Sequence, residues 1–494
     1  MAHPFRLYST LTRDAADFVP QEEGKVGLYV CGMTVYDHAH VGHARAMVVF
    51  DSFVRYLRHR GWAVTFVRNF TDVDDKIIRR ANETGEAPLD LANRFITSFQ
   101  EDVAALGLIK PDHEPRVSTS IEDIVAMIAE LVAGGHAYAS EGSVWFSVGS
   151  CPGYGKLSGQ KVEELQNPDE GSGKRSPNDF ALWKGAKPGE PAWDSPWGAG
   201  RPGWHIECSA MSRNTLGRTF DIHGGGLDLV FPHHENEIAQ SECANHAPYS
   251  NYWMHNGLLT MASGQKMGKS LGNVIGVKTA LAAFPAETLR LYYLQNHYRS
   301  PLPWGDDALP EALAMLARLY EAREKAEAMK GDETAQMVAR DLGPDAQALL
   351  ELLQGFEARF YEALDADFNT GKAVGLALQL ARALNRFSNH KQALKRGGPL
   401  GRQALAAFEH VRAAVGLLGM SSADFHEEVK AKRLAAMGVS RADVEAHLAG
   451  RVEARASKDW ARADAIRGQL DALGILVMDT ATGVEWRVRL GAAE

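Results

Sequence analysis

Apolar residues crowd into 26–30 (Val-Gly-Leu-Tyr-Val) and again into 63–67 (Ala-Val-Thr-Phe-Val), short β-branched runs of the kind that form buried strands. Between them, residues 42–60 repeat apolar positions at helical spacing and stop at Gly61, and residues 72–81 carry a second helical pattern. Strand, helix, strand, helix in this order predicts a Rossmann-type, doubly wound parallel sheet whose ligand crevice lies at the carboxyl ends of its strands. Cys31 falls at such an end. The pattern changes over 111–200, with a helix at 121–132, a strand at 143–148 and then a Gly/Pro-rich stretch, which reads as a domain inserted into the sheet. An αβ pattern returns over 201–260, with apolar runs at 226–231 and 253–261, and gives way at 261–309 to a region of loop and helix. Residues 310–425 are dominated by Ala, Leu, Glu and Arg, broken by Gly-Pro at 343–344 and Gly-Gly-Pro at 397–399, as in a helical bundle. Residues 426–494 combine charged helices with strand-like 475–478 and 484–488, a small terminal α/β module. The fold class expected is therefore multidomain α/β plus α.

Composition narrows the setting. A chain of 494 residues exceeds a single core at roughly 150 residues per domain. With 45% hydrophobic and 23% charged residues it has globular usage. No run of 18 apolar residues is present, so no membrane partner is expected. Residues 1–18 show no apolar core of a secretory signal, so a cytoplasmic location is expected. The four cysteines, Cys31, Cys151, Cys208 and Cys243, are too widely spaced for a disulfide framework, which leaves their thiols for metal or catalysis. The net charge of -9 means that a polyanionic partner must meet local positive patches rather than an overall basic field.

Three elements carry candidate chemistry. His40-Val41-Gly42-His43 lies where a strand gives way to a helix, a place whose free N–H groups favour phosphate. Two imidazoles there can donate to phosphate oxygens while Gly42 admits close approach; on these four letters alone, surface histidines at a helix start fit as well. Lys266-Met267-Gly268-Lys269-Ser270 places two lysines three apart on a loop, able to follow one triphosphate as the loop moves or simply to be solvated. Finally, His233 and Glu237 are four apart on a helix expected to begin at Pro232, so they share a face, and Cys31 and Cys208 are further soft donors. Two Cys, one His and one Glu satisfy zinc, although buried thiols and a helix face also account for them. The stretch is not His-Glu-x-x-His and carries no metalloprotease signature. Gly-Ser-Gly-Lys-Arg-Ser at 171–176 lacks the spacing of a phosphate loop and reads as a plain loop.

The two basic motifs resemble the HIGH and KMSKS signatures of class I aminoacyl-tRNA synthetases. Longer stretches resemble the cysteinyl-tRNA synthetase family: Gly-Leu-Tyr-Val-Cys-Gly-Met-Thr-Val-Tyr-Asp from Gly27, Asn-Phe-Thr-Asp-Val-Asp-Asp-Lys-Ile from Asn69, Arg-Pro-Gly-Trp-His-Ile-Glu-Cys-Ser-Ala-Met from Arg201 and Phe-Pro-His-His-Glu-Asn-Glu from Phe231. The likeness runs the length of the chain. It implies ATP-dependent activation of L-cysteine to cysteinyl-adenylate and transfer to the 3'-terminal adenosine of tRNA(Cys). It also implies one zinc held by Cys31, Cys208, His233 and Glu237 that reads the substrate thiolate, and Mg2+ accompanying ATP. His40, Gly42 and His43, with Lys266 and Lys269, take the ATP-binding and catalytic roles; Thr71, Trp204 and His223 surround the cysteine; Arg455, Trp460, Asp464 and Asp479 match positions used on anticodon bases. A packed hydroxyl, indole and imidazole, and a charged amphipathic helix, are the plain readings of these last two groups. By the same resemblance 261–309 holds the second signature and contacts the tRNA stem, and 426–494 binds the anticodon; a monomer is expected.

The chain departs from the signatures at Val41 and Gly268, neither of which removes an imidazole or a charge. Lys76-Ile77-Ile78-Arg79 resembles a lysine pair that the family links to persulfide formation, but Arg79 cannot form a Schiff base. Two other readings remain. One is the related cysteine ligase of mycothiol synthesis, which does not need the C-terminal module, and the other is a non-catalytic tRNA-binding relative, which would not need both signatures intact.

Overall fold

The computed structural model describes residues 3–161, 173–261, 274–480 and 483–490. The expected signature loop with Lys266 and Lys269, and residues 171–172, lie outside the described residues. A hairpin of β1 (Arg6–Ser9) and β2 (Asp14–Asp17) precedes β3 (Lys25–Val30), α1 (Val41–His59) and β4 (Ala63–Arg68). Then come α2 (Asp75–Thr84), α3 (Pro88–Ala105) and α4 (Ile121–Ala133), followed by β5 (Ala137–Ser140), β6 (Ser143–Phe146), β7 (Phe180–Gly185) and β8 (Gly200–Pro202). The chain returns through α5 (Ile206–Leu216), β9 (Phe220–Gly226), α6 (Glu235–Asn245) and β10 (Ser250–Asn256).

Strands β10, β9, β3 and β4 form one parallel sheet in that order. The chain steps from β3 outward to β4 and later returns to pair β9 on the other edge of β3. The β3–β9 boundary is therefore the topological switch point, where a crevice opens beyond the strand ends. Both faces of the sheet are covered, as parallel sheets require. Val26, Leu28 and Val30 join a core with α1 and α3, whereas Tyr29 between them faces the opposite core with α4 and α5. Strands β5 to β8 make a separate antiparallel sheet between β4 and β9 in sequence.

Beyond β11 (Leu259–Met261), helices α7 (Val277–Ala283) and α8 (Ala286–Leu294) and β12 (Leu302–Trp304) bridge to the helical region. That region comprises α9 (Ala308–Ala328), α10 (Ala335–Asp341), α11 (Pro344–Gln354), α12 (Phe356–Asp365), α13 (Thr370–Ser388), α14 (Ala393–Arg396) and α15 (Gly398–Val415). The Gly-Pro and Gly-Gly-Pro breaks open α11 and α15, with proline in the first turn where its missing N–H costs nothing. The last unit has α16 (Ser422–Met437), α17 (Arg441–Ala456), α18 (Trp460–Ala472) and the antiparallel pair β13 (Ile475–Thr480) and β14 (Gly483–Val488), with its own small core. No described helix is long and apolar enough to cross a membrane.

The structure corrects four local expectations. The apolar run at 226–231 is not a strand; the strand is Phe220–Gly226, followed by a tight helical turn over Leu227–Leu229 and a wide one over Val230–His234. Glycine disfavours strands, but a Cβ at Gly224 would collide with the Phe50 ring and one at Gly225 with His234, so here glycine admits neighbours against both faces. The Gly/Pro-rich stretch up to Pro202 is not all loop, for β7 and β8 lie in it. The helix expected at 72–81 starts at Asp75, because Asp74 caps it through the Lys76 N–H at 2.8 Å while Ser118 engages the Asp72 carboxylate. The helix expected from Pro232 starts at Glu235, since Phe231 is extended (φ -136°) and Val230–His234 winds as a wide turn.

Candidate active site and metal centre

A cavity of about 560 Å³ opens at the switch point, lined by His40, His43, Cys31, Thr71, Trp204 and Cys208 among others. The β3 carboxyl end delivers Cys31, whose N–H is fixed by the Gly224 carbonyl at 3.1 Å. Gly32 must be glycine, because any Cβ would strike the Asn69 carbonyl; its N–H donates to Asn69 Oδ1 at 2.8 Å. This close approach brings the turn after β3 against the turn after β4, where Thr34 pairs with Thr71.

His40 and His43 cap α1 by an unusual route. Serine or aspartate is the common cap; here His40 Nδ1 accepts from the N–H groups of Gly42 at 3.1 Å and His43 at 3.3 Å. His43 Nδ1 in turn accepts from the His40 N–H at 3.3 Å, and the rings stack 3.7 Å apart. An imidazole whose Nδ1 accepts keeps its proton on Nε2 when neutral. The capping therefore sets both rings to donate from Nε2, beside a helix N-terminus whose dipole favours anions.

Cys208 comes from α5 and Glu237 from α6, while His233 comes from the turn before α6. Cys31 Sγ lies 3.7 Å from Cys208 Sγ and 3.4 Å from Glu237 Oε1. His233 Nε2 lies 3.6 Å from Cys208 Sγ and 3.0 Å from Glu237 Oε1. All four expected donors thus meet within one small volume. Bonds of ~2.3 Å to sulfur and ~2.0–2.1 Å to nitrogen or oxygen imply tetrahedral edges of ~3.8 Å for S···S, ~3.6 Å for S···N and ~3.3 Å for N···O. The observed edges follow that pattern. Cys31, His223, His234 and Glu237 form a second overlapping group; in it His223 Nε2 is engaged with Glu237 Oε2 at 2.8 Å and His234 Nδ1 with His255 at 2.8 Å.

The electrostatics match the geometry. Burial works to raise the Glu237 carboxyl, but His223 and His233 outweigh it and hold it well below the usual carboxylate range. Burial opposes charge on His233 too, yet Glu237 and Cys208 raise it to about 10. Burial, then Cys208 and Glu237, push the Cys31 thiol well up. Cys208 comes down to about 7 as the hydrogen bonds of Cys31 and His233 overcome its burial. Glu237 and His233 thus face each other as a buried carboxylate and a proton-holding imidazole, with the Cys31 thiol beside them.

Trp204 stacks on His233 at 4.3 Å, forming one cavity wall, and Thr71 donates to Glu207 Oε1 at 2.5 Å. His223 is fully buried behind Glu237 and does not line the cavity. In the C-terminal unit Asp479 is gripped by Arg451 at 2.8 and 2.9 Å and by Arg455 at 2.8 Å. The Arg451 hydrogen bonds are the main cause that brings its carboxyl to about 2. Trp460 is 58% exposed at the start of α18, so it is no core residue, and Asp464 is exposed one turn on. Sequence reasoning missed Arg451, Glu207 and Tyr249, whose hydroxyl reaches Glu237. Arg451 alone had a local signal, four residues before Arg455 on the same helix face.

A switch-point crevice, a histidine turn opening the first helix and a helical C-terminal half together define a class I aminoacyl-tRNA synthetase fold. A methionyl-tRNA synthetase from Mycobacterium tuberculosis, solved with methionyl-adenylate, superposes with a TM-score of 0.58 at 15% identity, covering 84% of this chain and 94% of that one. A putative arginyl-tRNA synthetase from Campylobacter jejuni gives 0.53 at 14% identity, covering 82% and 95%. Residues 17–314 match the tRNA synthetases class I (C) catalytic domain, 359–420 the DALR domain and 441–487 the cysteinyl-tRNA ligase anticodon binding domain. Relatives called cysteine–tRNA ligase, from Geobacter sulfurreducens and Alkalilimnicola ehrlichii, are 49% and 50% identical over 98% and 97% of this chain and 99% of their own length. The chain belongs to the cysteine–tRNA ligase family.

Proposed function

We propose that this chain activates L-cysteine with ATP and transfers it to tRNA(Cys), using a zinc site of Cys31, Cys208, His233 and Glu237 to select the substrate. The observation that carries the reading is the close set of two sulfurs, one imidazole and one carboxylate, three of whose residues line the same cavity as His40 and His43. Of the two overlapping donor groups this one is favoured, since its two thiols suit a soft cation, whereas the other offers one. Zinc there supplies a soft Lewis acid that binds sulfur far better than a hydroxyl, which separates cysteine from serine where shape alone does poorly.

The chain's own residues do the rest. Thr71 and Trp204 wall the substrate in. A carboxylate oxygen of cysteine attacks the α-phosphorus of ATP, and the bond to the bridging oxygen breaks to release pyrophosphate. Charge accumulates on the phosphate oxygens, where the Nε2–H donors of His40 and His43 stand at the α1 N-terminus. Lys266 and Lys269 are assigned to the same charge, and Mg2+ accompanies the ATP. A ribose hydroxyl of the 3'-terminal adenosine then attacks the adenylate carbonyl, with AMP leaving.

The test is incorporation of labelled cysteine into bacterial tRNA, with serine as control and a zinc chelator as second control. Cysteine-specific, chelator-sensitive charging is expected. Cysteine-dependent pyrophosphate exchange without charging would favour the mycothiol-type ligase, against which the C-terminal unit argues; loss of both would leave a non-catalytic relative. Arg455, Trp460, Asp464 and Asp479 are assigned to the anticodon, with Arg451 fixing Asp479. Splayed bases are read by stacking and edge hydrogen bonds, which an exposed indole and nearby carboxylates supply. Asp464→Ala should lower charging about 10-fold, as loss of one edge contact worth ~1–3 kcal/mol implies by analogy with base readout, and leave pyrophosphate exchange intact; equal loss of both would point to misfolding.

A further inference from the structure

Glu237 has two oxygens with different surroundings. Oε1 faces Cys31 Sγ at 3.4 Å and His233 Nε2 at 3.0 Å, toward the centre of the donor set. Oε2 is turned away and meets His223 Nε2 at 2.8 Å and the Tyr249 hydroxyl at 3.0 Å. Tyr249 sits just ahead of β10, is 1% exposed, and packs edge-on against Phe220 with ring centroids 5.2 Å apart. Its hydroxyl also meets Ser212 Oγ at 2.9 Å on α5, the helix that carries Cys208, and the Cys208 carbonyl at 3.4 Å. A phenol that carries one hydrogen gives it to the strongest acceptor nearby, the Glu237 carboxylate, and its oxygen then accepts from Ser212.

We infer that Tyr249 is a positioning residue for the metal centre: by donating to Glu237 Oε2 it fixes the rotation of the carboxylate so that Oε1 alone is presented as ligand. The inference rests on the zinc reading above. A carboxylate held by one donor swings about its Cγ–Cδ bond, whereas two donors converging on one oxygen leave the other aimed. Tyr249 bridges the two helices that deliver Cys208 and Glu237, so it also sets their donor atoms at one spacing.

The experiment compares Tyr249→Phe with Ser212→Ala in the full chain. The first keeps the ring packing and deletes the hydroxyl; the second deletes the other hydroxyl partner and leaves the bond to Glu237. Zinc affinity is read by competition with a chromogenic chelator, and the cobalt-substituted protein gives a visible spectrum sensitive to ligand geometry. Loss of such an outer partner weakens metal binding about 10–100-fold. Tyr249→Phe is expected to show that loss and an altered cobalt band, with Ser212→Ala close to the parent on both readouts. Parent-like zinc affinity and spectrum in Tyr249→Phe would overturn the inference, as would an equal loss in Ser212→Ala, which would make the hydroxyl cluster a packing feature. Should the parent itself bind no zinc, the reading of the donor set fails first, and this inference with it; should Tyr249→Phe not fold, a fluorotyrosine placed at 249 changes the donor strength of the hydroxyl at nearly constant volume, and an unchanged cobalt spectrum there would count against it in the same way.

Discussion

Cys208→Ser should abolish stoichiometric zinc and depress cysteine-dependent pyrophosphate exchange by more than about 100-fold while the protein stays folded. The scale follows from the loss expected for partners one step removed, about 10–100-fold, which a direct ligand must exceed. Cys208 is 1% exposed on α5, with Sγ within 4 Å of both Cys31 and His233. Its thiol stands at about 7, because the hydrogen bonds of Cys31 and His233 overcome its burial, so it reaches the thiolate state that a soft cation needs. A serine hydroxyl of nearly the same volume cannot ionise there, so the change removes a donor and leaves the packing. Cys151→Ser is the control, since Cys151 is outside the donor set. Zinc content and cysteine affinity equal to the parent would sink the assignment.

That centre also marks where sequence stops being a guide. The pair His233 and Glu237 was legible from its spacing of four, which still brings the two together at 3.0 Å although His233 lies in the turn before α6, and Cys31 because an apolar run ended there. Cys208 and Cys31 lie 177 positions apart, and only the closing of β9 against β3 brings them together. No local period records that. The resemblance supplied the set, and physical spacing alone did not. Near the crevice, propensity misled in the opposite direction. Three consecutive glycines, Gly224 to Gly226, argue against a strand, yet they form one because Phe50 and His234 leave no room for side chains. His40 gave a phosphate-binding signal but no capping signal, since imidazole is an unusual cap, and the structure makes it the cap of α1. Tyr249 and Glu207 had no pattern at all, because their partners come from other elements. The bundle and the terminal strands were legible throughout, where periodicity and turn residues act over short spans.

Asp51→Asn should destabilise the protein by about 3–5 kcal/mol, the cost of stranding a buried charge. Asp51 on α1 and Arg290 on α8 are 2% and 3% exposed and meet at 2.6 Å. Asp51 also accepts from Arg55 Nε at 2.8 Å and from the Ile109 N–H at 2.5 Å, and Arg290 donates to Ser52 and the Val415 carbonyl. One carboxylate therefore ties the helix that begins at His40 to α8, to the end of α15 and to the turn after α3. Burial works to raise its pKa, but Arg290 and Arg55 prevail and hold it below the ordinary carboxylate value. A carboxyl lowered on folding adds stability above its unfolded value and loses it as pH falls through the folded one, so this contribution should fade in acid below about pH 4. The amide cannot balance Arg290, whereas Asp51→Leu combined with Arg290→Met removes both charges. The double variant should therefore be more stable than Asp51→Asn when chemical unfolding midpoints are compared. If it is no better than the single change, the carboxylate acts by shape rather than charge. Because α1 also carries His40 and His43, a loosened Asp51→Asn should lose pyrophosphate exchange before it loses helix content, and the double variant should recover part of it.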